Sequence, residues 1–165
     1  MSSPHEKYAE LFATDQRLKT GYGRGSRTQD FYLFLQGDDE THAHAHKKYF
    51  NGKTEIFVNA LLLGYFHNRI SDVTPNDSFN RIKTLGNEYF DAIIKMVFLD
   101  LCIRPENSNK TATEMLTELE RYADGGIEIL QENFQANEKL DLMQINTDVQ
   151  ERIAEKAEEI KSRLD

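Results

Sequence analysis

YFDAIIKMVFLDLCIR (residues 89–104) is the most apolar run in the chain, and its reading decides the fold. A run this long without Gly or Pro exceeds a typical strand and suits a helix of about four to five turns. Asn87, Glu88, Asp91 and Lys95 fall within about 100° of one another on a helical wheel. That polar sector covers only the first half. Phe98 and Cys102 continue it as apolar residues, so the second half is expected to be buried nearly all round. Pro105 stops the helix, because it lacks an N–H and disfavours helical geometry at the residue before it. Asp100 stands among Ile93, Met96, Val97 and Ile103, where a carboxylate must find a partner or take up a proton. Two readings stay open for it: an ion pair with Arg104, four residues on, or a polar group lining a cleft.

A second apolar stretch, TEIFVNALLLGYFHNR (54–69), predicts another buried helix, with Thr54 as its cap. Gly64 sits in its interior, where glycine costs about 1 kcal/mol against alanine. Close approach of another helix is the expected compensation. Asn59 and His67 are expected to make satisfied hydrogen bonds within the core, and Arg69 to complement the dipole at the helix end.

Amphipathic segments surround these two rods. Ser3-Pro4 starts a helix over about 4–14 whose apolar edge is Tyr8, Leu11 and Phe12. Phe79, Ile82 and Leu85 form a short amphipathic segment after a turn-rich connector at Ser71–Ser78. Thr111-Ala112-Thr113-Glu114 is a capping box. The helix it opens keeps Met115, Leu119, Tyr122, Ala123, Gly126, Ile127, Leu130 and Phe134 on one side, so one helix of about 111–134 is expected. Gly125-Gly126 costs roughly 2 kcal/mol inside it, and Gly126, central in the stripe, marks tight helix–helix contact. Residues 135–146 read as a polar connector. A last helix over about 147–164 carries a narrow stripe of Val149, Ile153, Ala157, Ile160 and Leu164, which can lie on the protein's own core or against a partner helix; the core is the favoured reading. The QDFYLFLQ run (29–36) is taken as a short helix, since no second strand is evident to pair with it. The expected architecture is therefore all-α: a single-domain irregular bundle of about six to seven helices over 1–165, with 15–53 a partly mobile N-terminal region.

With 165 residues the chain can bury roughly two-thirds of its unfolded surface. No apolar run approaches the ~20 residues needed to cross a bilayer, and MSSPHEKYAE has no signal-peptide features. The one cysteine, Cys102, excludes a disulfide framework within the chain, so a cytoplasmic location is expected. The net charge of −8 is concentrated: residues 111–165 hold 6 Lys/Arg against 14 Asp/Glu. Such a surface repels nucleic acid and suits a basic partner protein. Glu151, Glu155 and Glu158 on the last helix are the candidate contacts for it.

Two further stretches carry possible chemistry. KTGYGRGSRT (19–28) alternates glycines with Lys19, Arg24 and Arg27, a composition that can wrap phosphate through backbone N–H groups and guanidinium forks. It matches neither the P-loop nor the dinucleotide fingerprint, and it is read first as a mobile connector with solvating charges, with phosphate or nucleic-acid contact as the second reading. With Arg69, these residues are the nucleic-acid candidates. His42, His44 and His46 in THAHAHKK have a spacing that can hold a divalent metal, extended or helical. No Asp, Glu or Cys follows at a recognised ligand spacing, and Lys47 and Lys48 oppose a cation.

ELERYADGGIEIL (118–130) resembles the E-x-Y-A-x-G-G-hydrophobic helix of the small fourth family of DNA-phosphorothioation-associated proteins, which are encoded beside bacterial DNA sulfur-modification and restriction genes. FVNALLLGYFHNR (57–69) is similar to that family's earlier helix, and DAIIKMVFLDLC (91–102) lies where the family has another apolar one. The similarity covers roughly 57–130 and matches at Gly64, Tyr65, Arg69, Glu120, Tyr122, Ala123 and Gly126. The Arg-Lys run that follows the family's earlier helix is absent here, leaving only Arg69. The resemblance implies a common helical fold and names no catalytic residue.

Three functions follow as expectations. The first is a non-catalytic adaptor binding a nearby-encoded protein of a DNA-modification or anti-phage defence system, with no cofactor and no membrane contact. The second is a nucleic-acid-binding module using the basic Gly-rich stretch. The third is a metal-dependent hydrolase built on the three histidines, which would need further ligands and a base.

Overall fold

The computed structural model describes residues 2–22, 35, 50, 52–137 and 142–165. In chain order the elements are α1 (Pro4–Ala13), β1 (Arg17–Thr20), α2 (Lys53–Phe66), β2 (Asp77–Arg81), α3 (Glu88–Ile103), α4 (Ala112–Asn137) and α5 (Leu142–Leu164). Single 3-10 turns follow β2 at Ile82–Thr84 and α3 at Pro105–Asn107.

The two apolar rods are α2 and α3. Ile56, Phe57, Val58, Ala60 and Leu61 of α2 have no exposed surface, nor do Ile94, Val97, Phe98 and Leu101 of α3. Asn87 caps α3, its side-chain oxygen accepting from the N–H groups of Tyr89 and Phe90 at 2.9 and 3.1 Å. The helix stops at Ile103, and Arg104 before Pro105 is extended at φ −70°, ψ 131°, as the proline requires.

α4 is one continuous helix through Gly125-Gly126, opened by the expected capping box between Thr111 and Glu114. It crosses α2 at two glycines. A Cβ on Gly64 would collide with the Tyr122 carbonyl, and one on Gly126 with the Ala60 carbonyl. Contact of this kind brings the helix backbones nearer than side chains allow, and offsets the propensity cost of glycine in both helices. α2 then ends in a Schellman turn. Asn68 takes φ +52°, the Arg69 N–H bonds the Gly64 carbonyl at 2.8 Å, and the Asn68 N–H bonds the Tyr65 carbonyl at 3.2 Å.

Several expectations need correction. The structure is mainly helical, but the described residues hold five α-helices, not six to seven, together with a two-stranded antiparallel sheet. β1 pairs with β2 as Arg17 with Arg81, Leu18 with Asn80, Lys19 with Ser78 and Thr20 with Asp77, with an irregularity between Leu18 and Lys19. The segment around Phe79 is thus a strand leading into a turn. A two-stranded sheet is marginal by itself. This one persists because Leu18 is fully buried and β1 is pinned to α4 by hydrogen bonds. Of the expected helix at 29–36, only Leu35 belongs to the described residues; it is buried and its carbonyl accepts from Phe50 N–H at 3.0 Å.

The cap of α2 is Gly52 rather than Thr54, whose hydroxyl instead accepts from Asn80 Nδ2 at 3.0 Å. Asn59 is satisfied by the Glu55 carbonyl at 2.8 Å, whereas His67 caps the exposed end of α2 instead of entering the core. α5 begins at Leu142, inside the expected connector. It lies on the protein's own core through Val149 and Ile160, but Ala157 faces solvent and Lys156 takes its place in the stripe.

Candidate functional site

Polar side chains converge where the C-terminal ends of α2 and α3 meet α5. Asp100, only 1% exposed, is the anchor. Its Oδ2 accepts from the Tyr65 hydroxyl at 2.8 Å and from Arg104 Nη2 at 2.9 Å, while Arg163 of α5 approaches Oδ1 at 3.7 Å. Arg104 Nη1 also donates to the Tyr122 hydroxyl at 2.9 Å. The pair with Arg104 expected from sequence is present, and it is part of a larger network spanning α2, α3, α4 and α5. These donors leave neither the buried carboxylate nor the guanidinium without a partner. Burial pushes the Tyr65 phenol well above its ordinary range, and the hydrogen bond to Asp100 adds to the shift.

Above this network lies a cleft of about 290 Å³ lined by Tyr65, Phe66, Arg104, Arg152, Glu155, Lys156 and Glu159. The Arg152 guanidinium sits over the Phe66 ring at 4.8 Å, and Lys156 Nζ over the Tyr65 ring at 5.9 Å. Lys156 also pairs with Glu159 at 3.2 Å, and Glu159 reaches Arg163 at 3.8 Å. The sequence holds a signal for this arrangement. Arg152, Lys156, Glu159 and Arg163 lie within one band of a helical wheel beside the apolar stripe.

The opposite side of α5 is different. Glu151, Glu155 and Glu158 are exposed, and none forms an ion pair among the described residues. Spaced four and three apart, they form a row about 10 Å long. Glu155 belongs to both surfaces, forming the rim between acidic row and cleft.

α4 carries a second polar feature, where it faces β1. Thr20 Oγ1 donates to Asp124 Oδ1 at 2.5 Å and the Gly21 N–H to Asp124 Oδ2 at 2.8 Å. One turn earlier, the Lys19 N–H bonds the Glu120 carboxyl. Glu120 is 2% exposed and its Oε2 has no hydrogen-bond partner. Burial raises Glu120 to about 9 and Asp124 to about 6. Both acids flank the apolar stripe of α4 on one side, and nothing in their identity distinguishes them from the solvent-facing acids of the same helix.

The remaining candidates are dispersed. Arg69 is engaged by Glu132 of α4 at 2.8 Å, and the Lys19 main chain is tied to Glu120. Arg24, Arg27, His42, His44 and His46 lie outside the described residues. Among the described residues, no group of three or more His, Cys, Asp or Glu is placed to hold a metal ion. Cys102 is buried, and burial pushes its thiol up to about 11, which suppresses the reactive thiolate. No helix of the described residues is long and apolar enough to cross a membrane.

Comparison of the chain with protein-family models, curated proteins and solved structures gave no match.

Proposed function

We propose that this protein is an accessory component of a prokaryotic DNA-modification or anti-phage defence system, binding a basic protein partner through the outer face of α5. One observation carries the reading. Glu151, Glu155 and Glu158 stand exposed and without ion pairs among the described residues, on a helix whose other side is fastened by Val149, Ile160 and the Arg163–Asp100 contact. A fixed helix presents such a row without the ordering cost of a flexible segment, and a charged face speeds encounter with a partner of opposite sign. The resemblance over residues 57–130 supplies the biological setting. A cytoplasmic location accords with it.

The test is co-expression with the proteins encoded by the adjoining genes. A complex is expected with one of them, weakened by the combined charge reversal Glu151→Lys, Glu155→Lys and Glu158→Lys. A complex indifferent to the reversal would remove this surface from consideration.

A further inference from the structure

The cleft beneath α5 has a composition that the acidic row does not explain. We propose that it is a binding site for a small phosphomonoester carrying hydroxyl groups. Three cations line it, Arg104 from just past the end of α3 with Arg152 and Lys156 from α5. They do so within a chain whose net charge is −8.

The donors of these cations are not exhausted by their protein contacts. The Arg152 guanidinium carbon lies 4.8 Å from the centre of the Phe66 ring, and the group makes no hydrogen bond or ion pair among the described residues. A cation–π contact consumes no N–H donor, so the five of Arg152 stay available. Arg104 donates to Tyr122 and Asp100, which leaves three of its five N–H groups. Lys156 meets the two oxygens of Glu159 and keeps a third donor.

Arg152 is held by an aromatic ring that does not compete with an anion, and Arg104, though paired with Asp100, is fixed in place with donors to spare, so the site is organised before a ligand arrives. Forked guanidinium donors match the oxygens of a phosphate. The carboxylates at the rim, Glu155 and Glu159, would repel a bare dianion but accept from hydroxyl groups on its body. A volume of about 290 Å³ is near the lower end of ligand pockets and far above the roughly 30 Å³ of one water. A compact molecule therefore fits, with a phosphate toward Arg104 and Arg152 and hydroxyls toward the glutamates.

The experiment titrates the full chain with inorganic phosphate and, separately, with glycerol phosphate, following side-chain NMR signals of the arginines and the amides of Phe66 and Lys156. Saturable binding of both is expected, tighter for glycerol phosphate. Arg152→Ala should weaken both by about tenfold or more, and Lys156→Ala should weaken both to a smaller extent. Glu155→Ala should tighten inorganic phosphate by relieving repulsion, and should narrow or remove the preference for glycerol phosphate by taking away the acceptor of its hydroxyl groups. The melting temperature of Arg152→Ala, an exposed position, checks that its fold is kept. Absence of saturable binding would overturn the proposal, as would binding unchanged in Arg152→Ala. Tighter binding of a short DNA duplex, lost in the same variant, would overturn it in favour of a nucleic-acid groove.

Discussion

Gly64 of α2 lies directly against the main-chain carbonyl of Tyr122 on α4, at a separation that no side chain can enter. Gly126 meets the Ala60 carbonyl in the same crossing, so each helix contributes one glycine and one carbonyl. Alanine at Gly126 gains about 1 kcal/mol in helix propensity and must force the helices apart along a packed interface. The variant Gly126→Ala is expected to lose about 2 kcal/mol or more overall, read as a lower urea midpoint with an unchanged slope. Gly64→Ala should behave alike. Neutral or stabilised variants would mean that the helices do not cross at these residues.

The Asp100 network makes a graded prediction. Tyr65→Phe removes one donor and should cost about 1 kcal/mol. Asp100→Ala strands Arg104 and the Tyr65 hydroxyl and takes the carboxylate from Arg163, at a cost of roughly 3 kcal/mol. The double variant should cost less than the sum, because the Tyr65 hydroxyl bonds Asp100 directly at 2.8 Å. Strict additivity in denaturant unfolding would exclude that bond.

Glu120 predicts a pH dependence. Its folded pKa of about 9 lies above the ordinary value of 4.5, so the folded chain holds a proton that the unfolded chain releases across that window. The contribution is therefore full below the unfolded pKa and is lost as pH rises toward the folded one, by about 1.4 kcal/mol per pH unit. Glu120→Gln has no such proton to lose. Its stability should gain on the wild type as pH rises from about 5 to about 8. Parallel stability curves for the two proteins would contradict a buried, protonated Glu120.

Asp124 fastens β1 to α4 through Thr20 and the Gly21 N–H. Asp124→Ala leaves both donors without their partner and should cost about 2 kcal/mol. Hydrogen exchange should accelerate first at Gly21 and in the β1–β2 pairing, with the α2–α4 crossing still protected. Uniform acceleration throughout would show that the small sheet is integral to the core and has no separate stability.

The helices were legible because their determinants are local. Pro105, the Thr111–Glu114 capping box and the Ser3-Pro4 start each act within one turn, and the length of 89–104 leaves little room for a strand. The glycines were legible as well, since Gly64 and Gly126 make no sense in a helix unless something comes close. The sheet was not. Arg17–Thr20 and Asp77–Arg81 are short, mixed in polarity and far apart in sequence; the first is held by Asp124 and Glu120 of a third element, and the second by pairing with the first. Strand character of that origin leaves no period-two signature. The cleft escaped for a related reason. Arg104 and Arg152 are distant in sequence, and only the docking of α5 brings them to one cavity. Ala157 faces solvent because a narrow stripe tolerates a shift of one position, and the Lys156 ammonium reaches the Tyr65 ring where alanine could not.

The central claim is that the outer face of α5 is a docking surface for a basic protein. Its most direct test is sedimentation velocity of the purified chain mixed with each protein encoded by the adjoining genes, at low and at moderate salt. A complex is predicted that weakens with salt and is lost when Glu151, Glu155 and Glu158 are all reversed to lysine, while the melting temperature of the variant stays near that of the wild type. A complex of equal strength in the reversed variant, or one insensitive to salt, would contradict the account.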